Sequence, residues 1–336
     1  MTAKNPFRVL VNTPAELATQ FAENYKKRQK DPGITWGIPD IDKRVIPMKG
    51  GDLVGLVARP GHAKSSLLAY LAKREGREIM KRGMADKQCV VYVTWESSAE
   101  EIENFFLGGG DWSASDVAWG RVAVEDIMKK VVKRASFPVW TIGHSLARAG
   151  KPMPRMTLPA VLKAIETMEA DYGIKPTLML FDYLQLIPVD GANDRKNQVL
   201  EAPPLIKELA ERIGVPAVCG IQAARDVDNR DYKMPQKHDC QWSSSIEQAA
   251  DKLFGLWRPI LTEKEGAEPI QITYKDGDFI SCPITENLLL MQMLKQRGDS
   301  GRYTWALHFQ PQYLRLAEVE RMKASEYGHD SYTGGK

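Results

Sequence analysis

Residues 52–66 read DLVGLVARPGHAKSS: an apolar run, then a short loop, then the pair Lys64-Ser65. The pattern G-x-x-x-x-G-K-[ST], set between a strand and a helix, cradles nucleotide phosphates. Backbone N–H groups of the loop and the amino end of the helix converge there on one anion. In this chain the Lys-Ser pair is in place, but both glycine positions hold alanine, Ala58 and Ala63. The cofactor-binding stretch is read as Arg59, Pro60, Gly61, His62, Ala63, Lys64, Ser65 and Ser66. Lys64 is placed to reach the β- and γ-phosphates of ATP, and the Ser65 hydroxyl to hold Mg²⁺. Ala63 is costly, by about 1–2 kcal/mol, only where its backbone needs a positive φ. Gly61 keeps some freedom in the loop.

Outward from this stretch the chain alternates short apolar runs with helical patterns. DLVGLVA, CVVYVT, PVWTI, TLMLFD, AVCGIQ and KLFGLW are mostly uninterrupted apolar runs, as in strands covered on both faces. KSSLLAYLAKREGREIMKRG, AEEIENFF, LPAVLKAIETMEADYG and PLIKELAERIG are the helices between them. After about residue 285, LLLMQMLKQR and RYTWALHF flank Gly298-Asp299-Ser300-Gly301 as an antiparallel hairpin. The fold class is therefore α/β with a mainly parallel central sheet, and ligands are expected at the carboxyl ends of its strands.

Three further polar residues end strands at that edge. Asp182 closes TLMLFD, where a carboxylate can hold a metal's water shell. Glu96 follows the second strand in YVTWE and can polarise an attacking water as general base. Gln222 closes AVCGIQ and can sense the γ-phosphate. Singly, each is an ordinary strand terminus: a turn cap, a surface glutamate, a polar end. Together with Lys64 they form a constellation.

The 336 residues, 43% hydrophobic and 26% charged, describe an ordinary globular chain. A net charge of +3 neither announces nor excludes a nucleic-acid partner. Cys89, Cys219, Cys240 and Cys282 have no C-x-x-C or histidine spacing, which argues against structural zinc and points to a reducing cytoplasm. No apolar run has the length of a membrane span.

Residues 1–32 read as a separate arm. Thr13 and Glu16 make a capping box, Pro14 opens the helix, and Asp31-Pro32-Gly33 ends it. Leu17, Phe21 and Tyr25 form a narrow apolar stripe. Such a stripe packs either on its own domain or on a neighbouring subunit. The tail 319–336 is expected to be disordered.

ARPGHAKSS, YVTWESSAEEI, LMLFDYLQLI, LIKELAERIGVPAVCGIQ, SSSIEQAAD and LKQR occur in the order seen in the motor domain of DnaB-type replicative helicases. The resemblance runs over roughly residues 33–315, with the arm as the linker helix. It implies a RecA-like P-loop ATPase core, an oligomer (a hexamer), and ATPase roles for Lys64, Ser65, Glu96, Asp182 and Gln222. By the same resemblance Lys295 and Arg297 reach into the neighbour's ATP site, and alanine is common at the position of Ala58. The loop before SIEQ holds single-stranded DNA in that family. Here it reads HDCQWSSS, so Gln241, Trp242, Ser243 and Ser244 are the candidate contacts, with Arg195, Lys196 and Arg225 upstream. Arg230 and Lys233 add charge nearby.

The resemblance implies a helicase or translocase moving on single-stranded DNA in a bacterial or phage-infected cell, with a loader or primase-like partner. The chain leaves no room for the amino-terminal primase-interacting domain, so a phage-borne, mobile-element or accessory relative is expected. A second class stays open: an ATP-switched assembly or recombination-type protein that binds without unwinding, for which the altered loop speaks. A pseudo-ATPase scaffold rests on Ala63 alone.

Overall fold

The computed structural model describes residues 11–108, 110–192, 194–240, 244–264, 266–273, 279–298 and 301–319. Its elements in chain order are α1 (Pro14–Lys30), α2 (Pro39–Arg44), β1 (Leu53–Ala58), α3 (Lys64–Lys81) and β2 (Gln88–Thr94). Then come α4 (Ala99–Leu107), α5 (Ala114–Ala118), α6 (Val124–Ala135), β3 (Val139–Ile142), α7 (Leu158–Tyr172) and β4 (Lys175–Asp182). The rest is α8 (Arg195–Ile213), β5 (Ala217–Gln222), α9 (Ser244–Ala249), β6 (Lys252–Trp257) and β7 (Ile270–Thr273). The chain closes with β8 (Phe279–Cys282), β9 (Leu288–Gln296), β10 (Thr304–Gln310) and β11 (Arg315–Glu318).

Nine strands form one sheet in the order β11-β10-β9-β6-β1-β5-β4-β2-β3. The six from β6 to β3 are mutually parallel, while β9, β10 and β11 extend the sheet antiparallel. Alternate residues of each parallel strand feed two cores. Val54, Leu56, Val90 and Tyr92 pack with Leu67, Leu68 and Leu71 of α3 on one face. Leu53, Val57, Val91 and Val93 pack with Val161 and Ile165 of α7 and Val199 and Ile206 of α8 on the other. That double cover is why these strands read as continuous apolar runs.

All six expected strands and the β9–β10 hairpin are present, and the turn residues Asp299 and Ser300 lie outside the described residues. Helix α8 is longer than expected: it begins at Arg195, capped by Asp194, and carries Pro203 and Pro204 inside it. Proline favours a first turn, which is why the sequence suggested a start there. Buried Val199 and Ala202 hold the preceding turns in place. Helices α5 and α6 and the β7–β8 pair were not among the expected elements.

Helix α1 has its full capping box, with Thr13 and Glu16 each accepting the other's backbone N–H. None of its residues is buried, and Leu17, Phe21 and Tyr25 remain 51%, 66% and 53% exposed. Residues 320–336 of the expected tail lie outside the described residues.

Candidate active site

Strand β1 delivers the chain to the sheet's carboxyl edge at Ala58, which is fully buried. The loop then turns through Gly61 at φ 80° and Ala63 at φ 66°, ψ 24°, before α3 starts at Lys64. Ala63 thus sits in the left-handed region, where its methyl costs about 1–2 kcal/mol relative to glycine. The surroundings must hold this shape, and two fastenings do so. Arg59 pairs with Asp228 at 2.9 Å and donates to the Ala223 carbonyl at 3.1 Å. His62 is buried and accepts the Arg258 N–H on Nδ1 at 2.9 Å. Burial, then the Lys64 charge, pushes the His62 pKa down to about 4, so the imidazole is neutral.

A cleft of about 270 Å³ opens over the loop, lined by Pro60, Gly61, Ala63, Lys64, Ser65, Ser66, Glu96, Tyr183 and Gln222. Strand register brings these groups to one edge: Thr94 pairs with Asp182, and Ala58 with Gln222. The Gln222 backbone is clamped by Gln185, which donates to its carbonyl at 3.1 Å and accepts its N–H at 3.0 Å. Lys64 folds back on the loop and donates to the Ala58 and Arg59 carbonyls at 3.1 and 3.2 Å. Burial lowers its pKa to about 8 against the pull of Asp182 and Glu96. Burial and the Asp182 charge raise the pKa of Glu96, opposed by Lys64.

Asp182 lies behind the cleft, 2% exposed. Its Oδ2 accepts the Tyr92 hydroxyl at 2.8 Å, whereas Oδ1 is buried with no hydrogen-bond partner among the described residues. Burial raises its pKa, against the Ser65 and Tyr92 hydroxyls and the Lys64 charge. An orphaned carboxylate oxygen beside a serine hydroxyl is a donor set that fits a hydrated Mg²⁺.

Lys64, Ser65, Glu96, Asp182 and Gln222 are therefore brought together as the sequence suggested. Lys295 and Arg297 are not. Lys295 pairs in register with Leu253, at the amino end of β6, across the sheet from the phosphate loop. Its ammonium donates to the Glu247 and Ala250 carbonyls, the latter at 2.6 Å. Arg297 pairs with Asp251 at 3.1 Å and is 62% exposed. Six strand residues at about 3.3 Å each separate the two edges by roughly 20 Å.

Of the candidate nucleic-acid contacts, Arg195, Lys196, Arg225 and Ser244 are exposed. Gln241, Trp242 and Ser243 lie outside the described residues. Arg230 and Lys233 are engaged elsewhere: Arg230 with Asp239, and Lys233 with Glu263 at 2.7 Å. Sequence reading missed Tyr92, Tyr183 and Asp251. Tyr183 could have been flagged as the residue after Asp182 at the edge; the other two depend on cross-strand contacts.

A family model described as DnaB-like helicase C terminal domain matches residues 33–318. The chain is 25% identical over 298 residues to the Replicative DNA helicase DnaB of Rickettsia prowazekii, covering 86% of this chain and 59% of that one. It is 24% identical over 297 residues to the Replicative DNA helicase DnaC of Bacillus subtilis, covering 86% and 57%. A probable plasmid replicative DNA helicase of Chlamydia psittaci is 26% identical over 254 residues, covering 74% and 52%. The chain thus spans between about half and three-fifths of the length of these relatives. Among solved structures, an isolated ATPase domain superposes with a TM-score of 0.72 at 20% identity, over 92% of this chain and 100% of that one. A DnaB-like replicative helicase whose interactions with primase were described gives 0.69 at 19%, over 92% and 68%. Fold and family model agree: the chain belongs to the DnaB-like helicase C-terminal domain family.

Proposed function

We propose that this chain is an ATP-driven motor that hydrolyses ATP at the interfaces of a homo-oligomer, a hexameric ring, and moves on single-stranded DNA. The observation that carries the reading is the split machinery. Phosphate and water-handling groups stand at one sheet edge, and the candidate arginine finger stands at the other. On this reading, a neighbouring copy completes the site.

In this reading Lys64 leaves the Ala58 and Arg59 carbonyls and neutralises phosphate charge, while the loop N–H groups orient the ATP. Ser65 and Asp182 would hold Mg²⁺, which would offset charge on the phosphate oxygens. Glu96 accepts a proton from the attacking water, and its raised pKa makes it a stronger base. Gln222 reports the γ-phosphate to the strand-end loops. Arg297 of an adjacent copy then exchanges Asp251 for the charge that develops during transfer.

Two exposed apolar faces support the assembly. Among the described residues nothing covers the α1 stripe of Leu17, Phe21 and Tyr25, or Val124, Met128 and Val132 of α6. A short helix with such a stripe is marginal alone in water. Residues 1–32 are the docking arm in this proposal, residues 33–318 the motor, and Arg195, Lys196, Arg225 and Gln241–Ser244 the strand-gripping surface. A loader or primase-like protein is the remaining partner.

The test is ATP turnover with and without single-stranded DNA, on material whose mass is measured with and without nucleotide. Stimulation by the strand in the assembled form is expected. Phe21→Glu should leave a folded, ATP-binding chain that fails to assemble and turns over slowly. Full assembly of that variant would return the arm to its own domain, and turnover indifferent to the strand would remove DNA from the reading.

A further inference from the structure

A second concentration of charge lies away from the nucleotide cleft. Between α3 and α6 is a cavity of about 410 Å³ whose walls include Lys73, Arg77, Lys130, Lys133 and Arg134, together with Phe106 and Phe137. Its volume lies in the range of small-molecule sites, about 300–1,000 Å³. Lys73 is nine residues beyond Lys64 on α3, about 14 Å along the helix. The cavity is therefore separate from the catalytic cleft.

Within the cavity, cations crowd cations. Two carboxylates answer part of the charge: Asp111 sits 3.4 Å from Lys130, and Glu103 takes both Arg134 Nε and Nη2 at 2.7 and 2.6 Å. Arg77 and Lys133 are exposed, and among the described residues neither is ion-paired. Burial and the neighbouring Arg77, Lys130 and Arg315 charges lower the Lys73 pKa to about 8. Cations from two facing helices repel unless an anion joins them.

The number of donors narrows the choice of anion. Arg134 lies over the Phe106 ring at 5.0 Å, and Lys130 over Trp112 at 4.3 Å, which holds both cations in place along the wall. A phosphate offers at least three acceptor oxygens and can take donors from several cations at once. A carboxylate side chain supplies only two oxygens.

We propose that the α3–α6 cavity is a second phosphate-binding site, which takes the phosphates of a nucleotide or of a nucleic-acid strand. Arg77 and Lys133 hold the phosphate, while Lys130 and Arg134, fixed by Asp111 and Glu103, set the walls beside Lys73.

Calorimetric titration of inorganic pyrophosphate into full-length Lys64→Ala protein, in which the catalytic site is weakened, reads this site. Saturable binding is expected there, and adding Arg77→Gln and Lys133→Gln should weaken it at least about tenfold. Both positions are exposed, so the core is spared, and Arg77→Lys with Lys133→Arg should retain binding. A labelled oligothymidylate, titrated into otherwise unaltered protein, separates the two sources. If a strand is the ligand, the double glutamine variant binds it less well, with a salt slope smaller by roughly 0.7 per lost contact. If a free nucleotide is the ligand, strand binding is unchanged while pyrophosphate binding falls. Pyrophosphate heats that ignore Arg77 and Lys133 would overturn the proposal, as would preference for a polyglutamate peptide over pyrophosphate.

Discussion

The two edges of the central sheet make opposite use of charge. At the carboxyl edge, polar groups are short of partners: among the described residues Asp182 Oδ1 has none, and Lys64 makes do with two loop carbonyls. At the amino edge, nearly everything is matched. Lys252 and Asp52, each 5% exposed, pair at 2.6 Å between the starts of β6 and β1. Asp251 accepts from Lys207 at 2.7 Å and from the Leu53 N–H at 2.9 Å, and pairs with Arg297. Unmet charge marks a place that a ligand completes, and matched charge marks a place that holds strands in register. Arg297 belongs to the second edge by its partner and to the first by its exposure.

The largest break of this contrast is Arg297→Ala. If the guanidinium works on a neighbour's phosphates, turnover in the assembled protein falls by about 10³–10⁵. Mixing that variant with Lys64→Ala should restore part of the activity, at interfaces that pair an intact loop with an intact arginine. Co-assembled mixtures as inactive as either parent would confine Arg297 to its Asp251 contact.

Lys252→Met breaks the matched edge instead. It strands Asp52 in the interior, a loss of about 3–5 kcal/mol in denaturant unfolding. ATP affinity at the far edge should be nearly unchanged at a temperature where the variant is folded. A variant as stable as the parent would show that Lys49, whose N–H also reaches Asp52, is partner enough.

A smaller effect concerns protons. Lys64 has its pKa lowered to about 8 in the ligand-free cleft, and phosphate charge raises it again. Binding of ATP near pH 8 should therefore take up protons, and affinity should decline as pH rises through that value. Calorimetry in two buffers of different ionisation enthalpy reads the uptake directly. Lys64→Arg, always charged, should abolish it.

Ala63→Gly is the gentlest change. Removing the methyl from a left-handed residue should stabilise the fold by about 1 kcal/mol, with turnover equal or higher. A destabilised Ala63→Gly protein would mean that the buried methyl contributes more by packing than it costs in the backbone.

Why these two edges were unequally legible follows from their physics. The strands and the phosphate loop could be read because continuous apolar runs and the Lys-Ser pair are local patterns, and polar residues at run ends locate the carboxyl edge. The backbone of Ala63 could not be read: alanine fits two φ basins, and only the turn through Gly61 into α3 selects one. Nor could the pairing of Asp251 with Arg297, or of Arg230 with Asp239, since each depends on how loops close after the strands align. The α3–α6 cations are spread over some sixty residues of sequence, and only packing assembles them.

The ion pair between Arg59 and Asp228 joins two segments with different work. Arg59 belongs to the phosphate loop, and Asp228 to the short turn Arg225–Asn229 that carries one of the candidate strand contacts. An ion pair between the phosphate loop and a candidate strand-contact turn lets each report on the other. Any ligand that shifts the turn also changes the shape offered to phosphate, and thermodynamic reciprocity requires the converse by the same factor. If the proposed motor function holds, that tie is one place where nucleotide and strand can be coupled.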